Sequence, residues 1–226
     1  ACVSLDGHLL CWGSNIYGQT GTGTSWGKVA MPESVNLGKS QAGASSTAPS
    51  LPSPCVSVSC GYHHTAAVDS SGEVFMWGRN TAGQLGVGHA NEKMPLPQGS
   101  RVLGHALEKE VVLQVSCGVS HTVCVVSGGD VYSWGEGTCL AHAGNKNTGA
   151  ATVDLFGHTA ALVVAGGNHT LVLFTDGTVW AAGEDVFGEL GGGGGGAPSV
   201  IMPLGGEYGL QRVNLPEGVS MGAGGL

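Results

Sequence analysis

Nine histidines, seven cysteines and sixteen acidic residues are the groups in this 226-residue chain that could do chemistry. Three of the histidines stand in equivalent surroundings: Gly61-Tyr62-His63-His64-Thr65, Gly118-Val119-Ser120-His121-Thr122 and Gly166-Gly167-Asn168-His169-Thr170. Three equivalent imidazoles suggest metal ligation, but each falls in a different repeat and no carboxylate or second histidine recurs beside them. A hydrogen bond from each ring to the backbone of its own repeat is the better reading. The cysteines offer no C-x-x-C pair and no zinc-type spacing. Cys60 and Cys117 each precede a glycine at equivalent positions, as small buried residues do. Asp6, Asp69 and Asp176 fall in turns, where a carboxylate satisfies backbone donors. No Ser-His-Asp or Cys-His grouping emerges from the spacing. The run Gly191 to Gly196 leads into Ala197-Pro198, not into the Lys-Ser or Lys-Thr of a phosphate-binding loop. Asn168-His169-Thr170 spells a glycosylation sequon but coincides with the repeated His-Thr. The expectation is a protein with no catalytic residue, no metal site and no cofactor.

The same residues form a ruler. Eight positions past each of His64, His121 and His169 comes a glycine: Gly72, Gly129 and Gly177. Thirteen positions past them comes Trp77-Gly78, Trp134-Gly135 and, weakened, Ala182-Gly183, with Trp180 two residues earlier. Six residues past the tryptophan position lie Gly83-Gln84-Leu85-Gly86 and Gly188-Glu189-Leu190-Gly191. The beginning of the chain fits too, with Gly7, Trp12-Gly13 and Gly18-Gln19-Thr20-Gly21. In the third copy Leu140-Ala141-His142-Ala143 replaces this last element, so an irregular loop is expected there. The histidines are 57 and then 48 residues apart, so a rigid unit is joined by connections of varying length.

What must position these residues is a set of short strands. His64 to Val68 and Glu73 to Trp77 flank Asp69-Ser70-Ser71-Gly72, and Asp-Gly recurs at 6–7 and 176–177. Such a pair between β-formers signals a hairpin, because glycine takes positive φ without a Cβ clash. Further strands are expected at 55–60, 111–116 and 162–165. No window shows a sustained helical period. The 42 glycines, far above the usual share of about 7%, therefore read as turns. Short strands, glycine turns and a period near 50 predict an all-β protein, a β-propeller of about four visible blades. The repeat segments run 1–57, 58–114, 115–163 and 164–212, with a further one opening at 213–226. Segment 38–54, rich in Ser, Ala and Pro, reads as a disordered insertion, and 191–197 as a flexible loop.

Only 11% of residues are charged and the net charge is −8, with eight Lys and Arg in all. No basic window offers the footprint of a nucleic-acid binder. No apolar run reaches the roughly 18 residues of a membrane span, and no signal segment is seen. Unpaired cysteines favour a reducing home: the cytoplasm, with cytoskeletal and ciliary sites included and the nucleus also open. The start at Ala1, directly in a strand-like run, reads as a piece of something larger.

The combination of G-x-x-H-T, a turn glycine, W-G and G-Q-L-G resembles the repeat family named for the regulator of chromosome condensation. The resemblance covers nearly the whole chain outside the two insertions. It implies a propeller that commonly has seven blades, of which this chain supplies four. Family members include an exchange factor for the Ran GTPase, a plant UV-B photoreceptor, parts of ubiquitin ligases and kinases, and ciliary proteins. The photoreceptor's G-W-R-H-T tryptophans are missing here, where Tyr62-His63, Val119-Ser120 and Gly167-Asn168 fill the variable positions. By the same resemblance those six residues project from one flat face and bind protein. The functional expectation is a non-enzymatic interaction scaffold within a multi-subunit assembly, with guanine-nucleotide exchange on a small GTPase as the alternative.

Overall fold

The computed structural model describes residues 1–37, 53–99, 105–142, 146–191 and 210–213. The insertion read at 38–54 (its last two residues apart), the loop beyond Gly191 and nearly all of 213–226 lie outside the described residues. Fifteen strands form four antiparallel sheets among them. The first holds β1 (Cys2–Val3), β2 (Leu9–Ser14) and β3 (Lys28–Val35). The second holds β4 (Cys55–Cys60), β5 (His64–Asp69), β6 (Val74–Asn80) and β7 (Asn91–Gly99). The third holds β8 (Val112–Cys117), β9 (His121–Val126), β10 (Val131–Glu136) and β11 (Lys146–Thr152). The fourth holds β12 (Ala160–Ala165), β13 (His169–Phe174), β14 (Val179–Gly183) and β15 (Gln211–Arg212). Each sheet is a meander whose strands pair in chain order, one blade of a propeller. The sheets begin at Cys55, Val112 and Ala160, a few residues ahead of the segment boundaries at 58, 115 and 164.

The core lies between blades. Trp77 and Phe75 of the second sheet pack with Leu9 and Cys11 of the first. Trp134 and Tyr132 of the third pack with Met76 and Leu85 of the second. Phe174 and Val163 of the fourth pack with Val123 and Val131 of the third. Strands β5 and β9 are buried at all six positions, so Ala66-Ala67-Val68 and Val123 to Val126 run apolar without alternation behind the buried His-Thr of each strand.

Backbone hydrogen bonds stitch the same junctions. At the end of the blades carrying the Asp-Gly turns, each turn glycine carbonyl accepts the N–H of the next blade. Cys55 N–H reaches Gly7 O at 3.0 Å, Val112 reaches Gly72 at 3.1 Å and Ala160 reaches Gly129 at 2.9 Å. Near the opposite end, Ser59 Oγ accepts from Cys117 N–H at 3.0 Å and Ser116 Oγ from Ala165 N–H at 2.9 Å. This rung explains the repeated Val-Ser-Cys.

Two glycines show why the ruler is rigid. The strand register slips at Trp-Gly, between Cys11 and Gly13, Met76 and Gly78, and Ser133 and Gly135. At this bulge Gly78 takes φ +106°, and a Cβ there would sit 2.6 Å from the His63 carbonyl oxygen. Gly72 takes φ +81° in its hairpin, and a Cβ would lie 2.6 Å from Val111 Cγ1 of the next blade.

Two expectations are corrected. The third copy does not break its turn at 140–143. Thr138–Leu140 forms a tight 3-10 turn, and Ala141 at φ 56° takes the left-handed place that Gly86 takes at φ +70°. The turn is intact but two residues nearer the tryptophan. Cys60 is exposed whereas Cys117 is buried. Cys117 packs into the core between the second and third blades, and its N–H donates to Ser59 Oγ of β4.

Because Gly72 combines a positive φ with a contact across the junction, Gly72→Ala should destabilise by more than about 1 kcal/mol. Urea unfolding monitored by tryptophan fluorescence measures it; an unchanged midpoint would contradict the turn assignment.

Candidate functional site

Beneath the loops at the His-Thr end of the blades runs a chain of buried hydrogen bonds. His64 Nε2 lies 2.9 Å from Thr122 Oγ1 of the next blade. That hydroxyl donates its one proton to the Gln84 carbonyl at 2.9 Å. It therefore accepts from His64, which fixes the proton on Nε2. Trp134 Nε1–H donates to the same carbonyl at 2.9 Å. The histidine thus bonds a side chain of the following blade, not the backbone of its own as expected. The arrangement recurs. Thr65 and Trp77 donate to Gln19 O at 2.8 and 3.0 Å. His121 reaches Thr170 at 3.0 Å, and Thr170 donates to Cys139 O at 2.8 Å.

At that third junction the tryptophan is Ala182. A Cβ on Gly21 or Gly86 would come within 2.8 or 2.9 Å of the indole nitrogen of Trp77 or Trp134. Ala141 stands at this position where no indole follows, and it packs with Ala182 in one apolar cluster. Trp180 joins that cluster, with Phe156, His158 and Phe174 around it at ring separations of 5.7, 5.5 and 5.8 Å.

The histidines pay for their burial in basicity. Burial, reinforced by the neighbouring His121, pushes His64 down to about 3. Burial, with His169 nearby, pushes His121 down to about 4. In both rings Nδ1 is buried without a partner, so a second proton would find no acceptor.

The loop containing Gln19, Gln84 or Glu189 is held by residues that sequence reasoning missed. Asn15, Asn80 and Asp185 accept from the backbone N–H of Thr20, Leu85 and Leu190 at 3.1, 3.0 and 2.9 Å. The Gln19, Gln84 and Glu189 side chains accept from the N–H two residues before them, at 2.9, 2.9 and 2.7 Å. The signal was present as [N/D]-x-x-G-[Q/E]-x-G.

On this framework sit the variable residues. Tyr62 N–H donates to Gly118 O at 3.2 Å and Val119 N–H to Gly167 O at 2.9 Å, which ties the three G-x-x-H-T loops side by side. Tyr62 is 68% exposed; His63, Val119 and Ser120 are partly buried; Gly167 and Asn168 are exposed. The residue after each Trp-Gly joins them. The N–H groups of Arg79, Glu136 and Glu184 donate to the carbonyls of His63, Ser120 and Asn168 at 2.9, 3.0 and 2.9 Å. The loops are alike in backbone and unlike in side chains.

Among the described residues of this face, aromatic groups gather at the junction of the first two blades. The His63 ring lies between Tyr17, with centroids 4.7 Å apart, and Tyr62, at 4.3 Å. The Arg79 guanidinium carbon is 5.3 Å from the Tyr17 ring centre. Ile16, 57% exposed, adjoins Tyr17. Tyr17 and Arg79 went unread in the sequence because they belong to other loops than His63. No cluster of His, Cys, Asp and Glu able to hold a metal occurs among the described residues, and none of their helices is long and apolar enough to cross a membrane.

Models of the regulator of chromosome condensation (RCC1) repeat match residues 6–68 and 71–125, and, in a second version, 55–84, 112–139 and 158–189. The chain belongs to the regulator of chromosome condensation repeat family. Human "Probable E3 ubiquitin-protein ligase HERC3" is 31% identical over 197 residues, which are 84% of this chain and 17% of the ligase. The chain thus spans a small part of that relative. Human WBSCR16 matches with a TM-score of 0.67 at 22% identity, over 88% of this chain and 45% of that one. Yeast RCC1 (Prp20), solved with Kap60, matches with a TM-score of 0.69 at 16% identity, over 92% and 45%. Another structure of Prp20p was described together with its binding properties to Gsp1p and histones. At these identities the solved structures share the fold.

The buried neutral histidines set a pH dependence. Unfolded, they titrate near 6.5; folded, at about 3 and about 4. Below pH 6.5 the unfolded state binds more protons, so stability falls as pH falls. The loss at pH 4 should be on the order of 3 kcal/mol per histidine. Thermal melts between pH 7 and 4 measure it, and His121→Gln should flatten the slope. A slope unchanged in that variant would contradict the assignment.

Proposed function

We propose that this propeller is a non-catalytic protein-interaction scaffold, and that its recognition surface is the face formed by the G-x-x-H-T loops. One observation carries the reading: a repeated, buried hydrogen-bond framework holds loops whose exposed residues differ from blade to blade. Tyr62, His63, Val119, Ser120, Gly167 and Asn168 would contribute to this surface, with Tyr17 and Arg79 beside them. A stiff cluster of tyrosines and an arginine has the composition of interface residues that dominate binding energy. The chain would act within a larger assembly as four blades of an expected seven. The likeness to part of a ubiquitin ligase and to a yeast protein crystallised with Kap60 supports a binding role. The seven free cysteines support a reducing, cytoplasmic setting.

A combined Tyr62→Ala, His63→Ala variant should lose its partners in pull-down from native extract while its melting temperature changes little. Partners retained, or a melt lowered by many degrees, would contradict the surface. A second reading, guanine-nucleotide exchange, draws on the fold shared with the yeast protein studied for Gsp1p binding. It predicts faster nucleotide release from a member of a small-GTPase panel; no acceleration from any would leave the scaffold alone.

A further inference from the structure

We infer that the Tyr17, Tyr62, His63 and Arg79 cluster recognises a short acidic and apolar peptide segment of a partner protein. Its carboxylate would pair with Arg79 and its apolar side chain would pack on Tyr62. The inference rests on the reading of this face as a protein interface and specifies what it binds.

The argument begins with one position repeated in four blades. The residue after each Trp-Gly, or after Ala182-Gly183, is Ser14, Arg79, Glu136 and Glu184. Both acidic members are engaged: Glu136 lies 3.7 Å from Lys146, and Glu184 accepts from Asn168 Nδ2 at 3.0 Å. Arg79 is the one cation of the row. Its Nε–H donates to Thr81 Oγ1 at 2.8 Å and its plane is backed by Tyr17, so the group is held in place. No carboxylate among the described residues lies within ion-pair distance of it. An oriented guanidinium without a counterion among the described residues is matched by a carboxylate from outside.

His63 adds no charge of its own, since burial and the Arg79 charge both hold its imidazole below the usual range. Its part is to brace Tyr17 and Tyr62, between which it is wedged. Tyr62 and Ile16 supply apolar surface at either side. One cation on a chain of net charge −8 does not suit a polyanion. Nucleic acid would need several phosphate contacts, and the flanking Glu136 and Glu184 would repel it. A single carboxylate beside an apolar side chain fits the cluster.

The test uses the intact chain on an array of randomised seven-residue peptides whose fixed central residue is Asp, Asn or Lys. A labelled single-stranded oligonucleotide serves as the polyanion. The Asp pool should retain at least tenfold more protein than the Asn or Lys pools. That preference should shrink with salt and vanish in Arg79→Gln, with the melting temperature unchanged. Tyr62→Ala should weaken retention on the Asp pool without abolishing its dependence on charge. Equal retention on the Asp and Asn pools, a preference surviving Arg79→Gln, or equally tight oligonucleotide binding would overturn the inference. If Asn peptides bind equally well and Tyr62→Ala removes that binding, the acidic partner is wrong and the interface stands. Loss of neither pool in Tyr62→Ala overturns both.

Discussion

Every junction that the chain completes depends on a backbone carbonyl that accepts a threonine hydroxyl, joined at two of the three by a tryptophan indole. Gln84 O receives the Thr122 hydroxyl and the Trp134 indole, and the hydroxyl in turn receives His64. Three of these four groups are side chains that would each carry a desolvation cost if buried alone. Assembled, they satisfy one another across two blades at a place water does not reach. The apolar surface around them is generic, and valines and alanines would pack in many registers. The relay admits one. Blade orientation, and with it the alignment of the exposed loops, follows from this polar chain and not from the volume of the core.

The blades were legible because their strands, turns and bulges are local. Asp69 with Gly72, or Trp77 with Gly78, announces itself within a few residues. The partners of the relay were not legible, and the reason is geometric. His64 and Thr65 are adjacent in the motif and look like a pair, but alternate side chains of a strand point opposite ways. His64 reaches forward to Thr122, whereas Thr65 reaches back to Gln19. A repeat shows which residues recur without showing in which copy each finds its complement. Burial at Cys60 and the unbroken turn at 138–141 were misread for related causes. The first depends on contacts supplied by a neighbouring sheet, which a repeat does not show. The second depends on a two-residue shift that a fixed ruler passes over.

The candidate surface was half legible. Tyr62 and His63 stood out as the variable pair of a known motif. Tyr17 and Arg79 come from the tight loop of one blade and the bulge of the next, and only stacking of sheets brings them beside His63. Such a surface combines two kinds of position with different constraints. Backbone groups of the loops are committed to neighbouring blades, so the face is stiff. Side chains there bond and stack with one another and take no part in the buried relay, so their chemistry can differ at each junction without loss of the framework. This division lets one architecture present an aromatic, cationic cluster at one junction and glutamates at the next two.

The pair Ala141 and Ala182 shows where the natural unit of the array lies. The methyl group of Ala141 stands where glycine makes room for an indole at the other junctions, and the indole is missing from the copy that follows. Each alteration belongs to a different repeat, yet they make sense together. An exchange that cut the chain between copies, whether by recombination or by an engineer, would separate them. Moving the fourth repeat behind a copy ending in Gly-Gln-Leu-Gly would leave a hollow, and placing a tryptophan-bearing repeat behind Ala141 would force a collision. The transferable module is therefore the seam, half from each side, and a faithful cassette begins and ends in the middle of a blade.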